Sequence, residues 1–181
     1  MKRTTKLQLT VSIIAALALG ISAIGQTPDV FKRKNIEARM LAVAKWQLAN
    51  PKHRLYDWTN GAFYAGIFAA YETTRSRDLM TALMEMGEKN EWKPGPRFDH
   101  ADDIVINQTY LDLYRIKKDK KMLQPTIDAA ERLKRESGNE VAKHGITWWW
   151  CDALFMAPPT LAKLARITGD RSYLDLNDRF F

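Results

Sequence analysis

The sequence predicts an all-α fold built from helical hairpins. Apolar residues recur at helical spacing through most of the chain, and little of it alternates as a strand does. One helix–turn–helix pattern also occurs more than once. With 181 residues, 46% of them hydrophobic, the chain is long enough to enclose a sizeable core in one domain.

Six segments carry the helical pattern, and residues that stop helices follow several of them. Pro51 follows the first segment, Gly138 the fifth and Gly169 the sixth. Proline lacks the N–H that a helix interior needs, and glycine accepts the left-handed conformation of a C-terminal cap. The predicted helices span residues 35–50, 61–74, 78–90, 101–117, 120–137 and 152–168.

An internal repeat supports the hairpins. Residues 113–123 align without gaps on residues 164–174, with Leu, Arg, Ile, Asp and Leu coinciding at an offset of 51. Residues 71–79 form a weaker third copy. Each copy is a helix end, a tight polar turn and the start of the next helix, so the predicted unit is a hairpin of about 40 to 50 residues that stacks on its neighbours.

The longer loops lie at the other end of each hairpin. They span residues 51–60, 91–100 and 138–151, and they hold most of the tryptophans and all three histidines. Sites on rigid scaffolds are often carried by loops, so we expect one functional face at this end.

The first residues are typical of a secretory signal peptide. Lys2, Arg3 and Lys6 precede an apolar run, and small residues before Gln26 suit cleavage after Gly25. We therefore expect a signal peptide at 1–25, a linker at 26–34 and a helical domain at 35–181, with no integral membrane segment after cleavage. An uncleaved N-terminal anchor is the alternative.

The charge pattern and the cysteine content limit the classes of binding partner and the cellular compartment that we expect for the protein. Without the three cationic residues of the signal peptide, the formal net charge falls from +7 to +4, and the remaining charges are interspersed. This pattern does not favour nucleic acid as a partner. Cys151 is the only cysteine, so no intrachain disulfide can form, and export then fits a bacterial periplasm or cell surface. The oligomeric state is left open.

Three consecutive tryptophans, Trp148 to Trp150, lead into Asp152. Aromatic faces stack on the C–H faces of sugars, and Trp149 is a candidate for this contact. A carboxylate walled by aromatic rings is desolvated, which raises its pKa toward the value a general acid needs. Alternatively, the tryptophans pack in the core and Asp152 caps a helix.

Three motifs together resemble the unsaturated rhamnogalacturonyl hydrolases of glycoside hydrolase families 105 and 88. They are W-T-N-G-A-F-Y-A-G from Trp58, A-D-D from Ala101 with Q-T-Y from Gln108, and W-W-W-C-D-A-L-F-M-A-P-P from Trp148. The resemblance implies an (α/α)6 barrel of six hairpins. It also implies removal of the unsaturated uronic acid at the non-reducing end of pectin or rhamnogalacturonan oligosaccharides, with no metal and no organic cofactor.

The resemblance also implies a mechanism and residue roles. Asp152 matches the acid that protonates carbon 4 of the 4,5 double bond and then helps water attack carbon 5; the hemiketal collapses and releases the sugar. Asp103 matches a second carboxylate that orients substrate, and Asp102 is its rival. Three further residues match substrate-contacting positions: Trp58, His144 and Met156.

Structural roles are the alternative for each of these residues. Asp102 and Asp103 stand at a predicted helix start, where a carboxylate caps and meets the positive end of the helix dipole. His144 would then be an ordinary loop residue and Met156 a core residue. Trp58 would pack into the end of a hairpin and close it.

The predicted arrangement is specific. We expect the helices that begin near Gly61, Ala101 and Asp152 to lie side by side as an inner layer. Trp58, Asp103 and Asp152 should then converge at one end of that layer.

Length departs from the family pattern, because six hairpins would need roughly 300 residues and about three are present. We therefore expect the barrel to be incomplete and this 181-residue chain to have little activity. A non-catalytic remnant that binds sugar and an unrelated helical-hairpin interaction protein are the alternatives.

Overall fold

The computed structural model describes residues 29–136 and 147–180 of the chain. Within these ranges every regular element is a helix, which confirms the predicted all-α class. The expected signal peptide and residues 26–28 of the expected linker lie outside the described residues. No helix of the described part is both long and apolar enough to cross a membrane.

Most helices match the predicted segments within three residues at each end. The chain forms two compact units, one up to Arg39 and one from Met40 onward, and the hairpins and the site belong to the second. The α-helices are α1 (Arg33–Ala49), α2 (Trp58–Thr74), α3 (Arg77–Lys89), α4 (Ala101–Ile104), α5 (Asn107–Lys117), α6 (Gln124–Glu136), α7 (Ala153–Met156), α8 (Pro158–Thr168) and α9 (Ser172–Phe180).

Three helical hairpins stand next to one another: α2 with α3, α5 with α6, and α8 with α9. Helix α5 packs against α2 on one side and against α8 on the other, so these three form the predicted inner layer. Helix α3 follows α2 and packs against it, and α9 follows α8 and packs against it, whereas α6, which follows α5, packs against α8. This arrangement is that of an arc of a helical-hairpin barrel.

The repeat in the sequence is a repeated turn in the structure. Gly169 ends α8 in the left-handed conformation (φ 79°), and Lys118 ends α5 in the same way (φ 59°). Asp119 and Asp170, one residue further on, each accept a hydrogen bond from the backbone N–H two residues later. Arg75 ends α2 with φ 55°, which makes residues 71–79 the third copy.

Two predicted helices are interrupted. The segment 101–117 breaks at Val105 and Ile106, both fully buried, and hydrogen bonds from residue i+3 replace the usual ladder there. A Cβ on Gly61 of α2 would lie 2.2 Å from Val105 Cγ1, so α2 approaches the break closely. The segment 152–168 breaks at Ala157 because Pro158 has no N–H to donate.

The predicted helix 120–137 also differs from the structure. Residues Lys120–Met122 form a 3-10 turn, and α6 begins only at Gln124. Pro125 then occupies the first turn of α6, where its missing N–H leaves no helix bond unmade.

The core of the second unit consists of two clusters that meet at α5. Ile106, Tyr110 and Leu113 face the α2–α3 hairpin, and Leu111 faces α8 and α9. Because α5 contributes to both clusters, it fixes the neighbouring hairpins relative to each other.

Candidate functional site

The N-terminal ends of the inner helices meet at the end of the hairpins that carries the long loops. The short helices α4 and α7, which lead into α5 and α8, pack against each other, and both contact α2. Trp58 begins α2, Asp103 lies in α4, and Asp152 directly precedes α7. The structure thus brings together the three segments that carry these side chains.

Asp103 is buried, and among the described residues Arg97 is the hydrogen-bond partner of its carboxylate. The backbone N of Arg97 donates to Asp103 Oδ2 at 2.7 Å, and its Nε and Nη2 donate to Oδ1 at 3.1 and 2.6 Å. These hydrogen bonds raise the pKa of the Arg97 guanidinium. Since a carboxylate has about four lone-pair sites, Asp103 is a carboxyl group fixed in position with about one acceptor site open.

Gly95 allows the loop that carries Arg97 to reach Asp103. Its backbone N donates to the carbonyl of Asp103 at 2.8 Å. A Cβ at Gly95 would lie 2.6 Å from Asp103 Cγ, so any side chain would displace the loop. Gly95 and Arg97 are not among the site residues predicted from the sequence, although the G-P-R run shortly before A-D-D places a turn at this point.

Trp58 and Asp103 line one open cleft. The Trp58 side chain is 44% exposed, so its ring is available for stacking and does not plug the hairpin end. The cleft is lined by Lys52, His53, Arg54, Tyr56, Asp57, Trp58, Pro96, Arg97 and Asp103.

Asp57 caps α2 and thereby positions Trp58. Its Oδ1 accepts hydrogen bonds from Thr59 N at 3.0 Å and from Thr59 Oγ1 at 2.7 Å. Burial favours the neutral form, but these bonds and the electrostatic effects of His53 and Arg97 outweigh burial and lower the pKa of Asp57. The cap explains why α2 begins three residues before the predicted start at 61.

His100, rather than an aspartate, caps α4. Its Nδ1 accepts a hydrogen bond from Asp102 N at 3.3 Å, and its ring lies 4.9 Å from the Trp150 ring. The side chain of Asp102 is 20% exposed, against 8% for Asp103. Asp102 is therefore the freer carboxylate, and Asp103 is the one held in place.

The three consecutive tryptophans have three different environments. Trp148 is fully buried, donates from Nε1 to the carbonyl of Asp99 at 2.8 Å and packs on Phe180. Trp149 is 73% exposed, and Trp150 lies between it and His100. The core interpretation thus holds for Trp148, and Trp149 is free to contact a ligand.

Asp152 is exposed, which corrects the expectation that tryptophans wall it in. The physical reason is that the ring of Trp148 turns into the core, while Trp149 extends into solvent. Asp152 also makes no side-chain capping bond to α7, so the alternative role as a cap is not observed either.

Met156 and His144 complete the predicted set. Met156 is 3% exposed and belongs to the core, which favours packing over substrate contact. His144 lies outside the described residues.

Gln108 joins α5 to the segment that follows Asp152. Its Nε2 donates to the carbonyls of Phe155 and Met156 at 2.6 and 3.1 Å. In a continuous helix the Phe155 carbonyl would accept from residue 159, but Pro159 has no N–H. The side chain of Gln108 supplies the missing donor.

Comparison with known proteins gives consistent results. The chain is 31% identical to an unsaturated 3S-rhamnoglycuronyl hydrolase of Formosa agariphila, over 96% of this chain and 48% of that protein. It is 26% identical to a protein of the same name from Alteromonas sp., over 98% of this chain and 55% of that protein. The chain thus spans about half the length of these curated relatives.

A solved structure supports the fold. The polysaccharide lyase BACCELL_00875 superposes with a TM-score of 0.65 at 24% identity, covering 80% of this chain and 45% of that one. The family model for Glycosyl Hydrolase Family 88 matches residues 32–181. The chain therefore belongs to glycosyl hydrolase family 88.

Proposed function

We propose that the protein acts as a glycoside hydrolase on oligosaccharides that end in an unsaturated uronic acid. The observation that carries this proposal is the shared cleft of Trp58 and Asp103, with the segment of Asp152 packed beside it, in a chain of family 88. An aromatic platform can stack a sugar ring, one carboxylate can act as the acid/base for hydration of the double bond, and a second can orient the substrate.

The chemistry assigns Asp152 and Asp103 different tasks. Asp152 gives a proton to carbon 4 of the 4,5 double bond and then helps water attack carbon 5. Asp103 is held by Arg97, so it serves as a fixed acceptor for a sugar hydroxyl. Asp102, which is less buried, is the alternative for this second task.

Because Asp152 is exposed in the free chain, bound substrate must help to exclude water from its carboxyl group. An acid that protonates carbon at neutral pH benefits from a water-poor environment. A sugar ring stacked on Trp149 or Trp58 would cover the carboxylate and remove water from it on binding.

The names of the relatives refine the substrate. Both are unsaturated 3S-rhamnoglycuronyl hydrolases. We therefore narrow the pectin or rhamnogalacturonan oligosaccharides expected from the sequence to those in which the unsaturated uronate is joined to rhamnose. Residues 1–25 support export, and we propose a periplasmic or cell-surface location.

A sugar-binding protein without catalysis is the second candidate, and the exposure of Asp152 favours it. Stacking on Trp58 and Trp149 needs no proton transfer, so binding would persist without turnover.

Substitution of Asp152 separates the two candidates. Asp152→Asn should lower kcat by roughly 100-fold or more, because an amide cannot deliver the proton, and should leave KM nearly unchanged. Loss of the absorbance of the conjugated double bond measures the reaction directly. Asp128→Asn, an exposed change on α6, is the matched control.

The assay is run on this chain and on any longer product of the same reading frame. Turnover that Asp152→Asn leaves intact contradicts the acid/base role. Binding without turnover in both forms favours the second candidate.

A further inference from the structure

Three polar side chains from three different helices meet in the core between α5, α6 and α8. Asn107 begins α5, Thr126 lies in the first turn of α6, and Thr160 lies near the start of α8. None of the three is more than 1% exposed. Such side chains need hydrogen-bond partners inside the protein, because burial removes the partners that solvent would supply.

The described part of the chain does not supply these partners. Within it, neither Oδ1 nor Nδ2 of Asn107 has a hydrogen-bond partner, and neither does Oγ1 of Thr126. Thr160 Oγ1 donates to the carbonyl of Ile104 at 3.4 Å, which is long for a hydroxyl donor, and its lone pairs remain able to accept. An unpaired polar atom in a core lowers stability, so this cluster indicates a partner from outside the chain.

All three side chains line one small cavity in this core. The other residues that line it are Phe98, Ile104, Ala129, Ala130, Leu133 and Leu161. The volume of the cavity is about 10 Å³, at the lower end of the roughly 10–15 Å³ that one water molecule needs.

The chemistry of the lining decides between classes of occupant. Among the described residues no charged side chain lines the cavity, so an ion would lose its hydration without meeting an opposite charge. An apolar occupant would leave the amide and the hydroxyls unpaired. Water both donates and accepts, and a buried water typically makes about three hydrogen bonds to groups that would otherwise be unpaired.

We propose that this cavity is a binding site for a single water molecule held by Asn107, Thr126 and Thr160. The amide of Asn107 and the two threonine hydroxyls supply its hydrogen bonds. The water thereby joins the first residue of α5 to α6 and α8, and it is a structural part of the junction between the second and third hairpins. The site is independent of the proposed function, because none of its three polar residues lines the cleft of Trp58 and Asp103.

A crystal structure of the 181-residue chain tests the site without any substitution. We expect one ordered water within about 2.7–3.2 Å of the Asn107 amide and of at least one of the two hydroxyls. A cavity without density for this water, at a resolution that shows other buried waters, overturns the proposal.

Oxygen-17 relaxation dispersion of the solvent counts the long-lived waters of the chain in solution. The double variant Asn107→Leu with Thr126→Val replaces two of the three polar side chains by apolar ones of similar shape. We expect one long-lived water fewer in this variant than in the wild type. Thr126→Ser keeps the hydroxyl and should keep the water.

Thr109→Val is the matched control. Thr109 is fully buried in α5, and among the described residues its hydroxyl has no partner either, but it does not line this cavity. Valine at this position should leave the water bound. Thr126→Val should lower the Tm relative to Thr109→Val, because only Thr126→Val removes a hydrogen bond to the water.

The outcomes decide whether the cavity holds water. Loss of one water in the double variant, with Thr126→Ser and Thr109→Val unaffected, supports the site. If the cavity is dry, Thr126→Val and Thr109→Val each remove an unpaired hydroxyl, so both raise the Tm alike and the number of long-lived waters stays at the wild-type value. That result overturns the proposal, as does loss of the same water in Thr109→Val.

Discussion

The two ends of the helical hairpins are built by different means. At the end with short turns, each conformation depends on residues adjacent in sequence, as in the left-handed Lys118 followed by the capping Asp119. At the other end, Trp148 packs on Phe180, and Gln108 reaches the carbonyl of Phe155. Local signals therefore shape the scaffold, whereas tertiary contacts shape the candidate site.

The largest effect on stability is expected at the site end, from Gly95→Ala. Its Cβ would lie 2.6 Å from Asp103 Cγ, so the loop that carries Arg97 must shift. We expect a loss of about 1–3 kcal/mol in unfolding free energy, with a weaker contact between Arg97 and Asp103. Urea unfolding measures the loss.

Gly66→Ala is the matched control for Gly95→Ala. It lies within α2, and apart from its chain neighbours and the helix backbone no atom lies within 4 Å of its added Cβ. It should stabilise the protein by about 0.5–1 kcal/mol, because alanine is the better helix residue. Equal effects of both changes would contradict the special role of Gly95.

Asp119→Ala tests the turn end. The variant removes the acceptor for Lys121 N, and loss of such a cap typically lowers the unfolding free energy by about 1 kcal/mol. Sugar binding should not change, because the turn lies at the far end of α5. Asp178→Ala, an exposed change in α9, should stay within about 0.5 kcal/mol of the wild type. A large loss of sugar affinity in Asp119→Ala would show that the two ends are coupled.

A smaller gain is expected from Lys118→Gly. Lys118 adopts φ 59°, which glycine accepts without strain, and the equivalent residue in the next hairpin is Gly169. We expect a gain of about 0.5 kcal/mol, reduced by loss of the contact between Lys118 Nζ and the Tyr114 ring. Lys117→Gly, one residue earlier and helical, should instead destabilise. Thermal unfolding of both variants decides whether the conformation or the composition of the turn matters.

The smallest effect concerns pH and Asp57. The pKa of Asp57 is lowered in the folded chain, so its contribution to stability is complete above its unfolded pKa of about 3.9. That contribution is lost as the pH falls through the lower folded pKa. Asp57→Asn keeps a capping side chain but does not titrate, so its stability should fall less between pH 6 and pH 3, values chosen to lie roughly two units above and one below the unfolded pKa. An identical pH profile in the variant would contradict the assignment.

The scaffold could be predicted because its signals are local. The helical spacing of apolar residues predicts the helices of the hairpins, and the alignment of residues 113–123 on 164–174 predicts the turns between them. The break before Pro158 was equally local but was not predicted, although proline at that position excludes a continuous ladder. The break at Val105 could not be predicted from the sequence, because it depends on how closely α2 approaches Val105 in the folded chain.

The candidate site could be predicted only in outline. The loops at one end and the residues Trp58, Asp103 and Asp152 were identified in advance, and the structure places their segments together. The burial of each tryptophan could not be predicted from the sequence. Trp148 and Trp149 are the same residue type in adjacent positions, and it is Trp148 that packs on Phe180. Arg97, six residues from Asp103, was not predicted, because the G-P-R run that contains it indicates a turn but does not by itself identify a partner for Asp103.

The hydrogen bond from Gln108 means that the position of Asp152 depends on two hairpins rather than one. Pro158 and Pro159 have no N–H to donate to the carbonyls of Leu154 and Phe155, and a side chain of the preceding hairpin donates to the carbonyl of Phe155 instead. The position of Asp152, the candidate acid, therefore depends on the neighbouring hairpin. A substitution that rotates α5 would therefore move the segment that follows Asp152, so the position of this candidate acid would change without any change to Asp152 itself.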